Sequence, residues 1–351
     1  MAYVSIFCLI FLLHSCGGGA ITSKTKCQVI PPLLATEPDT SIPSETSSLE
    51  FWNAYSDQLE CAGVGIVRYT IKPNAHLLPL YINAEEVFFV VQGSGIFSLI
   101  IPTCSQELDG EKNECHKIFH LQSGDVLALR GEETFWGYNS GNETFIIIIV
   151  SRISNAGPIR DQQKRKNSYN VKEDSFYNIN TRISKISDPS RADLFIPELG
   201  YFTTIDVHQI PILESTQISV SYNLLLKDVM RLPHWENSYT LNYVMKGEGH
   251  IQVVDDNGKN VFDDIIRKGQ LLLVPHSFLM AEQAKSEMFE YATFKTTANP
   301  ITSELSGRNS VINCLPLEII RNAFQLNKEE AKKVKFGRKE TSLAKIIPKY
   351  I

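Results

Sequence analysis

Hydrophobic and polar residues vary over short distances through most of the chain, with frequent turn residues between them. From Gly63 to Ser98 the segments are rich in β-branched and aromatic residues, which predicts successive short β-strands. Thr144 to Arg152 contains the apolar run from Ile146 to Val150, which predicts a strand buried on both faces or lying in a sandwich core. Strand-like sequence resumes near Tyr201 and continues to about Thr296. The pattern therefore predicts an all-β protein with two strand-rich regions.

One stretch of this pattern occurs twice. Pro79-Leu80-Tyr81, a strand and Gln92-Gly93-Ser94-Gly95 correspond to Pro233-His234-Trp235, a strand and Lys246-Gly247-Glu248-Gly249. Each matched pair lies 154 positions apart, as position 79 does from position 233. Two copies of one β unit predict two similar domains, and the differences between the copies bear on their chemistry.

Segments of a different kind flank the two units. Residues 36–49 are rich in Ser, Thr, Pro and Glu, which predicts an extended surface arm. Residues 154–180 combine basic residues with few apolar ones, which predicts a solvated linker. Leu317 to Leu326 has apolar residues at helical spacing, and Asn327 with Glu330 forms a capping-box pattern. We therefore expect a first domain over 21–153, a second over 181–340 that ends in helices, and a tail over 341–351.

The first 20 residues have the features of a signal peptide. Ile6 to Leu13 is an apolar run too short to span a bilayer, and small residues follow as far as Ala20. A lipoprotein signal with Cys16 lipidated is the alternative. The sequence contains no other apolar run long enough for a transmembrane helix, so we expect a protein of the secretory pathway without a membrane partner.

Composition narrows the possible partners. With 351 residues, 43% hydrophobic and 21% charged, the chain fits a globular protein of two domains. Its formal net charge of -5 argues against a nucleic-acid partner, because such binders are usually basic.

The cysteines left after signal cleavage predict two disulfides and one unpaired thiol. Cys104 and Cys115 flank an acidic loop with Asp109-Gly110 near its middle, so we pair them with each other. The second expected pair is Cys27 with Cys61. Each bridge is expected to contribute about 2–4 kcal/mol.

Two further positions carry expectations of their own. Cys314 lies in the apolar stretch from Val311 to Leu317 and is interpreted as a buried core thiol. Asn142-Glu143-Thr144 is a glycosylation sequon, which a secretory route would expose to the transferase.

Several motifs together resemble one protein family. A β unit with an early Gly-x-Gly turn and a later strand opened by Gly124-Asp125 resembles the cupin barrel, an antiparallel jelly-roll, and two such units resemble a bicupin. The whole mature chain further resembles the legumin-type (11S) seed globulins, in the segments 61–64, 90–93, 188–193, 253–258, 261–263, 294–296 and 307–311. The resemblance implies a storage protein of the seed vacuole that forms trimers and has no catalytic site or cofactor.

The chain departs from the legumin pattern at several points. Legumins are cut after the asparagine of an Asn-Gly bond, whereas the aligned candidate bond here is Asn170-Val171. The cysteine that joins the halves in the family falls on Tyr177. The acidic variable segment and the helical extension of the first barrel are missing from the sequence, so we expect an uncut chain whose trimer would lack one family contact.

Enzymatic cupins hold a metal with a His-x-His pair, a Glu and a third His, because residues i and i+2 of a strand face the same side. In the first copy these positions are Pro79, Tyr81, Glu86 and Phe135, and in the second they are His234, Glu236, Leu241 and Met280. His234 and Glu236 are weak metal candidates, since fewer than three protein ligands rarely hold a catalytic ion. We interpret His234 as a hydrogen-bonded barrel residue and place Glu236 at a wet barrel mouth.

Three functions follow, in order of preference. The first is a non-catalytic storage globulin, located in a protein storage vacuole or outside the cell. The second is a binding module that holds a small polar ligand near His234, Trp235 and Glu236 in the second barrel. The third is a metal-dependent enzyme of the germin type.

Overall fold

The protein is described by a computed structural model of residue 29 and residues 31–100, 116–131, 133–153, 183–338 and 342–346. The strands of the first half are β1 (Ala35–Thr36), β2 (Thr40–Pro43), β3 (Ser47–Phe51), β4 (Val64–Ile71), β5 (His76–Ile82), β6 (Glu86–Gln92), β7 (Ser94–Ile100), β8 (His116–Gln122), β9 (Asp125–Leu129), β10 (Glu133–Tyr138) and β11 (Phe145–Arg152). The only helix described in this half is α1 (Asp57–Ala62).

The second half carries the larger number of described elements. Its strands are β12 (Ile183–Lys185), β13 (Leu194–Ile196), β14 (Gly200–Ile205), β15 (Ser219–Leu226), β16 (Val229–Glu236), β17 (Thr240–Lys246), β18 (Glu248–Val254), β19 (Asn260–Arg267), β20 (Leu271–Val274), β21 (Leu279–Ala284), β22 (Met288–Lys295), β23 (Thr302–Glu304) and β24 (Leu343–Lys345). Its helices are α2 (Leu213–Thr216), α3 (Val311–Cys314), α4 (Leu317–Phe324) and α5 (Lys328–Phe336), with a 3-10 turn at Pro189–Arg191.

Each half folds into two facing antiparallel sheets. The first barrel has the strand orders β12-β9-β6-β11-β4-β3-β2 and β5-β10-β7-β8. The second has β1-β20-β17-β22-β15-β14-β13 and β19-β18-β21-β16-β23, with β24 also pairing with β16. These jelly-rolls confirm the predicted all-β fold of two cupin barrels with a helical extension after the second.

The apolar run of β11 lies between two cores. Ile147 and Ile149 belong to the interior of the first barrel, whereas Ile148 and Val150 belong to an apolar cluster that extends into the second barrel. The prediction of a strand buried on both faces is therefore confirmed. Hydrophobic and polar residues do not alternate along β11, because one face packs inside its own barrel and the other packs between the barrels.

A short strand from the start of each half links the two barrels. β1 precedes the first barrel but pairs with β20 of the second, as in Ala35 with Leu272. β12 precedes the second barrel but pairs with β9 of the first, as in Ser184 with Val126. The sheets therefore do not follow the domain boundaries expected from the sequence. The second barrel includes β1, which precedes the first barrel, and the first barrel includes β12, which precedes the second. The expected surface arm, residues 36–49, includes β2 and overlaps β1 and β3, and all four residues of β2 are exposed.

The repeated Gly-x-Gly turns have the same geometry in both copies. Gly93 has φ +79° and Gly247 has φ +75°, a region that side chains of L-residues rarely adopt. A Cβ added at Gly93 would lie 2.6 Å from the Thr144 carbonyl oxygen, and one at Gly247 would lie 2.0 Å from the Met288 oxygen. Both turns need glycine because a neighbouring strand end approaches the backbone at this point.

The C-terminal helices confirm the capping prediction. The Asn327 side chain accepts from the Glu330 amide, and the Glu330 side chain accepts from the Asn327 amide at 2.9 Å. Residues 342–346 are not a separate tail, however, because Arg231 of β16 pairs with Leu343 of β24. The short apolar stretch around buried Leu343 completes the edge of the barrel.

The expectation for Cys314 is wrong. Cys314 is an exposed free thiol on the four-residue helix α3, where Val311 is also 42% exposed. Apolar composition misled the interpretation because this turn lies outside the barrel cores.

Some sequence expectations fall outside the described residues. These are the signal peptide, Cys27, the Cys104–Cys115 loop, and the linker with Asn170 and Tyr177. In the part of the chain that is described, no helix combines the length and apolar character needed to cross a bilayer.

Candidate functional site

The four ligand positions of the first barrel do not converge on a site. Pro79 and Tyr81 are exposed on β5, and Tyr81 has 63% of its surface accessible. Phe135 lies in the apolar core, with its ring 4.9 Å from Phe97 and 5.3 Å from Phe88. Glu86 is the only carboxylate among the four, and burial raises its pKa to about 7. This barrel is filled by aromatic side chains at the place where a metal would be held.

His234 is enclosed in the second barrel. Its side chain is fully buried, and its Nδ1 lies 2.9 Å from the Leu232 carbonyl oxygen, which accepts the Nδ1 proton. The nearest carboxylate oxygen is Oε2 of Glu282, at 3.8 Å from Nδ1. Burial, followed by the positive charge of Arg231, lowers the pKa of His234 well below its ordinary value. His234 is therefore a hydrogen-bonded barrel residue, as interpreted from the sequence, and burial keeps it neutral.

Glu236 is not at a wet mouth. It is 6% exposed, and its Oε1 accepts from Lys295 Nζ at 2.8 Å and from the Thr302 hydroxyl at 2.7 Å. Strand β23 brings Thr302 over the barrel end, since Thr302 pairs with Glu236 across the two strands. Burial lowers the pKa of Lys295, and the charge of Glu236 opposes that effect. The expectation of a solvated Glu236 is wrong because the C-terminal extension covers it.

Sequence reasoning missed further members of this interior. Arg231 donates to the Asn223 side-chain oxygen at 2.9 Å, and the Tyr291 hydroxyl donates to Glu282 at 3.0 Å. Glu282 is fully buried, and burial raises its pKa to about 7 although Arg231 opposes the shift. The available signal was the strand period, because Glu282 lies two residues after Met280 and therefore faces the same side.

The interior contains buried charges, and an ion pair joins two of them. Arg231 and Lys295 supply two positive groups, and Glu236 pairs directly with Lys295. A buried charge is tolerated only when it is paired and hydrogen-bonded, because desolvation otherwise costs several kcal/mol. The hydrogen bonds described for these groups are to other residues of the same barrel. His234 Nε2, Arg231 Nε and one carboxylate oxygen each of Glu236 and Glu282 are buried without a hydrogen-bond partner among the described residues.

These residues do not fit a metal ion. Of the four ligand positions, Leu241 and Met280 offer no carboxylate or imidazole, and Glu236 is held by the ammonium group of Lys295. Within the described ranges, no group of three His, Cys, Asp or Glu side chains is placed to bind a metal.

A narrow crevice lies beside His234 in the second barrel. It is lined by Trp235, Glu236, Thr240, Val274, Pro275, Phe278 and Met280, and it leaves no space for a water-sized molecule. A ligand would have to displace the side chains that close it, so the crevice gives no support to a preformed small-ligand site.

Comparison with known proteins agrees with this description. The family model described as Cupin matches residues 33–173 and 184–332. The chain is 30% identical to an 11S globulin seed storage protein of Anacardium occidentale over 442 aligned positions, covering 96% of each chain. A 12S seed storage protein of Arabidopsis thaliana is also 30% identical, with 97% of this chain and 96% of that protein covered. Because both alignments are longer than the chain, these relatives carry segments that have no counterpart here.

The solved structures lead to the same family. Procruciferin, an 11S globulin of Brassica napus, superimposes with a TM-score of 0.80 at 29% identity, covering 93% of this chain and 99% of that one. The coconut allergen cocosin gives a TM-score of 0.80 at 30% identity, with coverages of 91% and 100%. With two cupin matches, full-length relatives and a shared fold, the chain belongs to the legumin-type 11S seed globulin family of bicupins.

Proposed function

We propose that the protein is a non-catalytic storage globulin, a nutrient reservoir of the secretory pathway. The observation that carries the proposal is the replacement of the ligand sets in both barrels. One interior is filled by aromatic rings, and in the other Glu236 is bound by Lys295 and Thr302. The relatives named as seed storage proteins support the same role. The proposed location, a protein storage vacuole or the outside of the cell, rests on the family resemblance.

Glycosylation and disulfide formation, the modifications of a secretory route, are proposed at specific positions of the chain. Asn142 is exposed in the turn between β10 and β11, where an oligosaccharide would meet no packed surface. Cys61 is disulfide-bonded, and Cys27 remains the proposed partner although it lies outside the described residues. The Cys104–Cys115 bridge is likewise a proposal, and Asn170 remains a candidate processing position.

Self-association is proposed on two grounds. The first is family membership, because the resemblance of the chain to the legumin-type globulins implies trimers. In addition, the C-terminal extension exposes large apolar side chains, namely Ile319, Phe324, Val334 and Phe336, each with 45–57% of its surface accessible. These side chains lie on the neighbouring helices α4 and α5, and apolar groups exposed near one another are typical of surfaces that pack against another copy.

The proposal is tested by following the protein in its source tissue. Immunoblots across seed development and germination are expected to show accumulation followed by loss. Metal analysis of the purified protein is expected to find less than about 0.1 metal per chain, since no three ligands converge among the described residues. Constant abundance through germination, or one equivalent of a transition metal per chain, would overturn the storage role.

A further inference from the structure

The two halves of the chain complete each other's sheets. β1, from the first half, adds to β20, and β12, which follows the linker, adds to β9. Two more backbone bonds fix these arms, from the Leu33 amide to the Val261 oxygen at 3.0 Å and from the Ile186 amide to the Gly124 oxygen at 2.8 Å. Each half therefore supplies strand edges that the other half needs.

Side chains from both halves interlock between the barrels. Phe89 and Phe294 meet edge to face with ring centroids 6.2 Å apart, and both are fully buried. Arg68 donates to the Tyr243 hydroxyl at 3.2 Å, and Trp52 meets the Tyr243 ring edge to face at 6.1 Å. The contact has an apolar centre with a directional polar bond, which is the composition of a permanent interface.

This contact is not backed by a covalent bond. Cys314 is the only cysteine in the sequence after residue 183, and it is a free thiol. No disulfide can therefore join the second half to the first. Apart from the peptide connection through residues 154–182, the halves are held by the interface alone.

We propose that each half of the chain is a binding partner for the other, so that a chain broken between residues 153 and 183 remains a tight non-covalent complex. Proteolysis in the connection would then leave the assembled protein unchanged in shape and size. The inference does not depend on the storage role, because it rests on the strand exchange, the aromatic contacts and the free thiol.

The test uses the full chain with one specific protease sequence inserted in the connection. After complete cleavage, size-exclusion chromatography without reductant at about 1 μM is expected to return both fragments at the volume of the uncut protein. Separate elution, or precipitation of either fragment, would overturn the proposal.

Two phenylalanines of β22 provide matched variants. Phe294→Ala removes the ring that meets Phe89, whereas Phe289→Ala removes a ring that stacks at 4.8 Å on Tyr291 within the same barrel. Both positions are fully buried. We expect Phe294→Ala to weaken association of the cut halves roughly a hundredfold or more, with a much smaller effect of Phe289→Ala on association.

Circular dichroism of the uncut variants identifies those that fold. Should Phe294→Ala not fold, Tyr243→Phe takes its place, since it removes only the hydroxyl that Arg68 contacts, and roughly a tenfold loss is expected. Equal effects of the interface and barrel variants on association would contradict the assignment of this surface.

Discussion

Glu282 and His234 are expected to exchange a proton when the second barrel unfolds. Both side chains are fully buried, with Glu282 Oε2 at 3.8 Å from His234 Nδ1. In the folded protein burial raises the pKa of Glu282 from 4.5 to about 7 and lowers that of His234 well below 6.5. Between about pH 4.5 and 6.5 the folded chain therefore carries the proton on Glu282, and the unfolded chain carries it on His234.

The two groups have opposite effects on stability. The contribution of Glu282 is fully present below pH 4.5 and is lost as the pH rises through about 7. The contribution of His234 is lost as the pH falls below 6.5, because the unfolded chain then binds a proton that the folded chain refuses. Each slope approaches about 1.4 kcal/mol per pH unit, and Glu282 alone accounts for up to about 3 kcal/mol. In the wild type the two slopes cancel over this range.

Two single variants separate the contributions. The free energy of unfolding would be measured by urea denaturation at pH 5.0, 5.75 and 6.5, relative to the wild type at each pH. Glu282→Gln is expected to become relatively more stable as the pH rises, and His234→Gln relatively less stable. The changes with pH matter here, because either substitution also shifts stability by a constant amount.

The control is Glu287→Gln, at a carboxylate with 83% of its side chain exposed beside Lys227. Its stability relative to the wild type is expected to stay constant with pH. Slopes of the same sign in both buried variants, or no slope in either, would refute the proposed proton exchange.

The other predictions concern stability measured by denaturation. Because burial raises the pKa of Glu86, the wild type is expected to lose stability as the pH rises through about 7, and Glu86→Gln is expected to abolish this loss. A variant with the same pH profile as the wild type would contradict the burial of this carboxylate. Lys295→Met is expected to cost about 3–5 kcal/mol by leaving Glu236 buried without its partner, whereas adding Glu236→Leu restores most of it. Gly247→Ala is expected to cost several kcal/mol more than Gly258→Ala, because both have φ near +75° but only position 258 has open space around it.

The fold could be predicted from the sequence because its signals are local and repeated. The glycine at 93 and its copy at 247 mark the same turn, and the apolar run of β11 indicates burial on both faces. The capping box at Asn327 likewise depends only on residues three positions apart. The fit of this pattern to a known family then supplied the barrel topology.

The interior of the second barrel was predicted only in part. His234 and Glu236 were found because they occupy known ligand positions, but Lys295 lies on another strand, and its pairing with Glu236 depends on the sheet order. The cover over Glu236 comes from β23, a three-residue strand without a distinct pattern of its own. Cys314 was misplaced because apolar composition does not tell a core from a helical turn on the surface.

The double burial of β11 has a consequence for synthesis of the protein. Ile148 and Val150 pack in the cluster shared with the second barrel, and Phe294 of that barrel is made well over a hundred residues later. At ordinary translation rates this leaves an apolar strand face uncovered for on the order of ten seconds or more. Five consecutive residues without charge form the kind of segment that aggregates when exposed. The nascent first barrel is therefore expected to need a chaperone in the secretory compartment until its partner emerges.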